Sequence, residues 1–158
     1  MNGAIVLGES VKTGLSIKLS SQFPSVVSYR EQLSNPTLIK FPHFFIEQVT
    51  QSITEERRGY FWLHYLMVVR YRMAAEISTV FNLQSQLDEI SFEIMQIKNI
   101  PLSNRILSVK NKNTEKIDGV LHWFCNFDFE VQFEEIEKIK MWQLEQNNKL
   151  KLSLKLEV

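Results

Sequence analysis

The chain has 158 residues, 44% of them hydrophobic, so it can bury the core of one domain without disulfides or a structural metal. Lys and Arg total 18, as do Asp and Glu, and this balance excludes the basic excess of a general nucleic-acid binder. The composition also excludes collagen-like, disordered and disulfide-rich proteins. Eleven Phe, 4 Tyr and 3 Trp favour a protein that contains strands and buries surface against neighbours.

The compartment can be read from three absences in the sequence. Cys125 is the single cysteine and cannot form a disulfide within the chain, so nothing indicates an oxidising compartment. The apolar run at residues 4–7 is too short for a signal peptide and has no basic residue before it. No stretch is long and apolar enough to span a membrane. We expect a soluble intracellular product with no membrane contact.

The first half of the chain is predicted to contain one helix and three strands. The helix covers residues 4–22, because apolar residues recur there at every fourth position: Leu7, Val11, Leu15 and Leu19. A short strand at 25–29 is followed by strands at 44–50 and 60–69, which we expect to pair as an antiparallel hairpin through a long polar loop. Aromatic and β-branched residues on both faces of the 60–69 strand predict a central strand that is covered on both sides.

A second helix is indicated by a single apolar stripe. Its members step by four, three, four and three residues: Leu83, Leu87, Ile90, Ile94 and Ile97. Asn82 is a plausible N-cap, and Pro101 closes the segment. Two heptads are too few for a coiled coil, so we expect this helix to pack on a sheet.

Strands return in the second half. Residues 105–109 are predicted to form a strand, residues 110–116 a polar turn region, and residues 119–133 the strongest strand of the protein. Seven apolar residues alternate along one face of that strand: Leu121, Trp123, Cys125, Phe127, Phe129, Val131 and Phe133. The other face is apolar as far as Phe124 and polar from Asn126 onwards.

The C-terminal part differs in character from the rest. Residues 134–148 are charged, whereas residues 149–158 alternate leucine with mostly basic residues and predict a strand with one apolar and one basic face. Such a strand could add to the exposed sheet edge of a neighbour. The candidate residues for a subunit or partner interface are Leu150, Leu152, Leu154, Leu156, Val158, Trp142 and Phe124.

Together these elements predict an α+β fold. We expect a mixed, largely antiparallel sheet of four to five strands with two main helices packed on it, plus a C-terminal extension strand. The chain has no repeat and no Gly/Ser linker, so residues 1–133 are predicted to form a single domain and residues 134–158 an extension or arm.

No constellation for catalysis is present in the sequence. The three histidines have no Cys or His partner at the spacing of metal ligands: His43, His64 and His122. Cys125 lies on the core face of a strand, which predicts a buried and inert thiol. No nucleophile motif or phosphate-binding Gly-rich loop occurs either. The sequence therefore predicts neither an enzyme nor a bound metal or cofactor.

The one compact basic feature consists of Lys110, Lys112 and Lys116. One interpretation is a solvated loop. The other is a basic loop that faces a phosphate backbone or an acidic partner. The residues alone leave both interpretations open.

Several motifs resemble the family of bacteriophage tail terminator proteins from tailed phages and phage-derived particles of Gram-positive bacteria. Residues 117–129, Ile-Asp-Gly-Val-Leu-His-Trp-Phe-Cys-Asn-Phe-Asp-Phe, are similar to that family's Asp-Gly-Val-Leu-His run and the aromatic strand after it. Residues 42–46 look like its Pro-x-Phe-Phe-Ile strand, and residues 58–60 like its Arg-Tyr entry into the next strand. Met141 and Leu144 match a Met-x-x-Leu element.

The chain departs from the family pattern at two places. Residues 69–71 read Val-Arg-Tyr where the family often has an aromatic residue followed by proline. Residues 149–158 are not part of the pattern at all. The resemblance therefore covers roughly residues 4–145.

The resemblance implies a structural virion protein that forms a ring, usually a hexamer, on the tail tube. It would end tube polymerisation and join the tube to the neck or connector, and in a contractile tail it would lie near the last sheath ring. DNA would pass through the lumen without specific binding, which zero net charge allows. The implied place is the tube–neck junction of a virion assembled in the host cytoplasm.

Two alternatives remain open on the sequence. One is a neck or head–tail completion protein that contacts the connector, because such a protein also forms a ring on the same axis. The other is an unrelated small oligomeric α+β binding module.

Overall fold

The computed structural model describes residues 3–30, 38–73, 80–103 and 105–156. The helices are α1 Gly3–Gln22, α2 Val80–Met95 and α3 Phe133–Leu156. The strands are β1 Val27–Tyr29, β2 His43–Arg57, β3 Tyr60–Arg72, β4 Asn99–Leu102, β5 Arg105–Ser108, β6 Lys110–Ile117 and β7 Val120–Gln132.

Five strands form one mixed sheet in the order β1-β2-β3-β7-β6, and β4 and β5 form a separate antiparallel pair. The β1–β2 pairing is parallel, and the other three pairings in the large sheet are antiparallel. The predicted α+β class and the predicted largely antiparallel sheet are confirmed. The 60–69 strand was predicted to be central, and β3 lies between β2 and β7 as expected.

The core lies between one face of the sheet and the helices. Leu7, Val11, Leu15 and Leu19 of α1 are all buried, as their four-residue spacing predicts. They pack in one cluster with alternate residues of β3 and β7, among them Tyr65 and Phe127. Each fully buried side chain of this size stabilises the fold by about 1.5–3 kcal/mol.

The β2–β3 hairpin is longer than the sequence pattern indicated. A polar loop was expected between strands at 44–50 and 60–69, but β2 continues to Arg57 and the turn is only Arg58-Gly59. Gly59 has a φ of 82°, in the left-handed region that glycine adopts without strain. Cross-strand pairing with β3 holds these polar residues in a strand, although they lack the apolar alternation that signals one.

Helix α2 confirms the apolar stripe but not its predicted ends. It begins at Val80, so Asn82 lies inside the helix rather than at its N-cap. It ends at Met95, and Pro101 belongs to β4. Leu87 and Ile94 are buried in the common core, as a helix packed on a sheet requires.

The predicted polar turn at residues 110–116 is wrong, because Lys110–Ile117 is the edge strand β6. The turn to β7 consists of Asp118 and Gly119, whose φ values are 52° and 75°. Two successive positive φ angles at Asp-Gly are typical of the tight turn that joins antiparallel strands. The exposed edge position explains why β6 carries polar residues at every position before Ile117.

The predicted C-terminal strand at residues 149–158 is also wrong, because α3 continues to Leu156. Residues 133–156 contain neither glycine nor proline and are dominated by Glu, Lys, Gln and Leu, all strong helix formers. The alternation of leucine and lysine resembled a strand only in its periodicity. Residues 157–158 lie outside the described part of the chain.

Candidate assembly surfaces

The two faces of the sheet differ sharply in burial. Along β7 every second residue from Leu121 to Val131 is buried, and the residues between them are only half-buried. All three helices contribute to the cluster that covers the first face. We name the second face, on which Trp62, Leu66 and Phe124 lie, the open face. The prediction that β3 is covered on both sides holds on this face only at Val68, which is buried, whereas Trp62 and Leu66 are half-buried.

A hydrogen-bonded pair and an ion pair join neighbouring strands across the open face. His64 of β3 stands opposite Asp128 of β7, and its Nδ1 lies 2.7 Å from the Asp128 Oδ1. Arg70 of β3 pairs with Glu47 of β2 on the same face. Glu47 is a diagonal neighbour of Arg70, whose direct partner is Phe45. Favourable cross-strand side-chain pairs contribute about 0.2–1 kcal/mol each. The sequence did not predict either pair, since both depend on the register between strands far apart in the chain.

Phe124, one of the predicted interface residues, lies in the middle of the open face. It stands opposite Val68 and its ring stacks on His122, with 6.3 Å between the ring centroids. It is half-buried within the chain, so part of its ring is available to a neighbouring molecule. Phe124 as an interface residue stays a prediction.

Trp142 and the terminal leucines lie elsewhere, on α3. Trp142 packs partly against the core, and with five neighbours it lines a shallow depression along the helix: Lys138, Met141, Leu144, Glu145 and Asn148. Met141 and Leu144 are 73% and 64% exposed, while Ile139 and Gln143 are buried. The depression therefore combines the exposed apolar side chains of Met141 and Leu144 with polar and charged neighbours.

The predicted interface residues do not form one surface. Phe124 lies on the open face, whereas α3 belongs to the helical layer on the other side of the sheet. Leu150 is 39% exposed near the end of α3. Three further predicted residues continue the same helix, and their side chains lie outside the described part of the structure: Leu152, Leu154 and Leu156. Val158 also falls outside it, as does everything after Leu156.

The predicted basic loop is part of a strand, and two of its three lysines contact α2. Lys112 Nζ donates to the carbonyl oxygens of Met95, at 2.7 Å, and Ile97, at 3.0 Å, at the end of that helix. A cation here neutralises the partial negative charge of the helix C-terminus. Lys116 forms an ion pair with Asp88 of α2. Lys110 is exposed.

Burial is the main cause of the pKa shifts of two potentially reactive side chains, His43 and Cys125. Burial lowers the pKa of His43, the nearby Arg72 lowers it further, and a hydrogen bond from Nδ1 to the Lys40 carbonyl opposes both. Burial also raises the pKa of the Cys125 thiol, which suits an inert core residue. In the residues that the structure describes, no group of three or more His, Cys, Asp or Glu side chains could hold a metal ion.

The structure adds a feature that the sequence analysis missed, a long unpaired strand edge. β1 pairs only with His43, Phe44 and Phe45 of β2, so residues 46–57 present an edge with no strand beside it among the described residues. We name this segment the β2 edge. The opposite end of the sheet is β6, which pairs only with β7. The available signal was the Thr and Ile content of residues 50–54, which favours a strand.

Comparison with known proteins identifies the family. The family described as phage tail terminator protein matches residues 10–139, from α1 through the whole sheet into the start of α3. The chain belongs to this phage tail terminator family. Membership gives it a structural role in a phage tail and confirms the resemblance carried by residues 117–129. No curated protein matches the chain.

The terminator family consists of structural proteins and not of enzymes. Within the described residues, no helix has the length and apolar character needed to cross a membrane. The family match ends at residue 139, so the C-terminal half of α3 lies beyond it.

Proposed function

We propose that this terminator caps the tail tube as a ring of identical subunits, ends tube polymerisation and provides the joint to the neck or connector. The observation that carries the proposal is the family match, which takes in the complete five-stranded sheet, all of α2 and most of α1. In a contractile tail, the ring would also contact the last sheath ring.

The geometry supports a role performed by surfaces. A ring of identical subunits needs two different complementary patches on each copy, because every contact in the ring is head to tail. The two ends of the sheet, the β2 edge and β6, differ in sequence and charge. A cap ends polymerisation when its outward side offers no surface that another tube subunit fits.

The proposed partners are further copies of the chain in a hexamer, the tail tube protein, the neck or connector protein and, in a contractile tail, the sheath protein. DNA would cross the ring lumen without specific binding. Zero net charge supports this, since a strongly basic lumen would hold the phosphates. The proposed location is the tube–neck junction of the virion, after assembly in the host cytoplasm.

The predicted alternative, a neck or head–tail completion protein, differs from a cap in its effect on tail length. We expect particles produced without the chain to carry overlong tails in electron micrographs, because nothing ends tube growth. Supplying the wild-type chain from a plasmid should restore the normal length. Tails of normal length that fail to join heads would contradict the capping proposal and favour the neck alternative.

A further inference from the structure

The β2 edge has the properties of a strand that pairs with another molecule. It carries no proline, and its exposed apolar residues Val49 and Ile53 are 50% and 42% exposed. Stable monomers usually block such an edge with lysine, proline or a covering loop, because unpaired N–H and C=O groups invite a further strand. The β2 edge has no lysine either, and between its two register shifts residues 50–55 carry a single charged residue, Glu55.

Charge indicates which strand fits this edge. The β2 edge contains three glutamates and one basic residue, Arg57 at its end, whereas β6 contains three lysines and one glutamate. Two copies of the β2 edge would repel each other, and so would two copies of β6. The two strands attract each other, although Lys112 and Lys116 also contact α2.

The directions of the strands also allow β6 of one copy to pair with the β2 edge of the next copy in a ring. Three antiparallel pairings separate β2 from β6, so β6 runs opposite to β2. Rotation about an axis roughly along the strands leaves strand direction unchanged. The β6 of one copy therefore meets the β2 edge of the next copy in an antiparallel arrangement, which is the pairing that dominates this sheet.

The regular parts of the two strands are also comparable in length. β2 has register shifts at Gln48/Thr50 and at Glu55/Arg57, which leave residues 50–55 regular. β6 has one between Lys110 and Asn113, which leaves residues 113–117 regular. Asn113 of β6 lies opposite Phe124 of β7, which lies opposite Val68 of β3, which in turn lies opposite Glu47 of β2. Within one copy, β6 is therefore level with the start of β2 and not with the exposed end of β2. Pairing residues 113–117 of one copy with residues 50–55 of the next shifts the two copies relative to each other along the strand direction. This shift gives the strand tilt that a closed sheet requires.

We infer that the β2 edge of one copy pairs with β6 of the next copy, so that the sheets of successive subunits join into one closed sheet. The inference rests on the proposed ring, and it names the strands that hold the ring together. Both partners are segments of this chain, and no further protein is needed to cover either edge.

Chemical cross-linking of assembled tails tests the pairing. Ser52→Cys on the β2 edge and Asn113→Cys on β6 place thiols on the open face at the two ends of the sheet. Cys125 is fully buried and does not compete. With a short bismaleimide, the double variant should give a ladder of covalent multimers beyond the dimer, and each single variant should remain monomeric. Ser52→Cys paired with Gln86→Cys on exposed α2 is the matched control and should give no ladder.

A charge variant supplies an independent test. Ser52→Lys/Thr54→Lys gives the β2 edge the same sign as β6 and should abolish incorporation into tails. Gln84→Lys/Gln86→Lys adds the same charge to α2 and should incorporate normally. Far-ultraviolet circular dichroism of both variants should match the wild type, which separates lost pairing from lost folding.

The results distinguish this inference from the capping proposal. Dimers from Ser52→Cys alone, or no ladder in tails that contain the chain and have normal length, would overturn the pairing and leave capping intact. Normal tail length in particles that lack the chain would overturn capping, and the inferred pairing with it.

Discussion

Two glycines of α1, Gly8 and Gly14, differ in the kind of atom that packs against them. A methyl group at Gly14 would overlap the carbonyl oxygen of Pro101, a backbone atom of β4 that cannot move aside. A methyl group at Gly8 would meet the end of the flexible Gln48 side chain, which can rotate away. Gly14 is therefore required by close packing, whereas Gly8 only weakens the helix.

This difference predicts opposite effects on stability. Gly14→Ala should lower the free energy of unfolding by about 1–3 kcal/mol, because the helix and β4 must separate to admit the methyl group. Gly8→Ala should leave it unchanged or raise it by up to about 1 kcal/mol, since alanine favours a helix more than glycine does. Urea denaturation of both variants measures the difference. Equal losses in the two would contradict the close contact at Gly14.

His43 should make stability depend on pH in mildly acidic solution. Burial lowers the pKa of the folded-state imidazole below the value of about 6.5 expected in the unfolded chain. As the pH falls through that value, the unfolded state takes up a proton first, so stability decreases towards lower pH and levels off below the folded-state pKa. His43→Asn keeps a donor for the Lys40 carbonyl but does not titrate.

Urea denaturation of both proteins between about pH 7.5 and 5 checks this prediction. The advantage of the wild type over His43→Asn should shrink as the pH falls. An advantage that stays constant over this range would show that His43 titrates alike in both states.

How well the sequence predicts an element depends on which interactions stabilise that element. α1 and β7 carry clear apolar periodicity and were predicted nearly to their ends. The outer half of β2 and all of β6 are polar edge strands, held by backbone pairing that leaves no apolar pattern. The last turns of α3 alternate leucine with polar residues, which resembles a strand, but the same residues have high helix propensity and continue the helix.

The candidate surfaces were predictable only in part for the same reason. Phe124 was identified because its strand is strongly patterned, and it does lie on the open face. The His64–Asp128 pair and the β2 edge depend on which strands become neighbours and in which register. Those pairings join residues far apart in sequence, and no local pattern encodes them.

A chain that lacks residues 149–158 keeps two residues of α3 that are buried against the domain. Ile139 and Gln143 are buried before residue 149, and the family match ends at residue 139. We therefore expect a chain lacking residues 149–158 to fold but to assemble less well on tails. Near-ultraviolet circular dichroism checks the fold, and the amount of chain in purified tails checks assembly. An unfolded truncated chain would refute the idea of a separate arm, as would unchanged incorporation.

At the scale of the whole molecule, the fold combines a well-covered helical side with an open sheet face and two unlike sheet ends. Such an asymmetric subunit suits a ring in which every copy makes the same head-to-tail contacts. Zero net charge, first an argument against nucleic-acid binding, agrees with a ring through which DNA passes freely. Together these features describe a protein that works through its surfaces.

Capping means that the chain stops the growth of the tail tube. The length of tubes assembled from purified tail tube protein tests this effect most directly. Added chain should arrest elongation at capped ends, so mean tube length in electron micrographs should fall as the ratio of chain to tube protein rises. The Ser52→Lys/Thr54→Lys variant should arrest growth far less well. Tube length that is the same with and without the chain, at every ratio, would contradict the capping role.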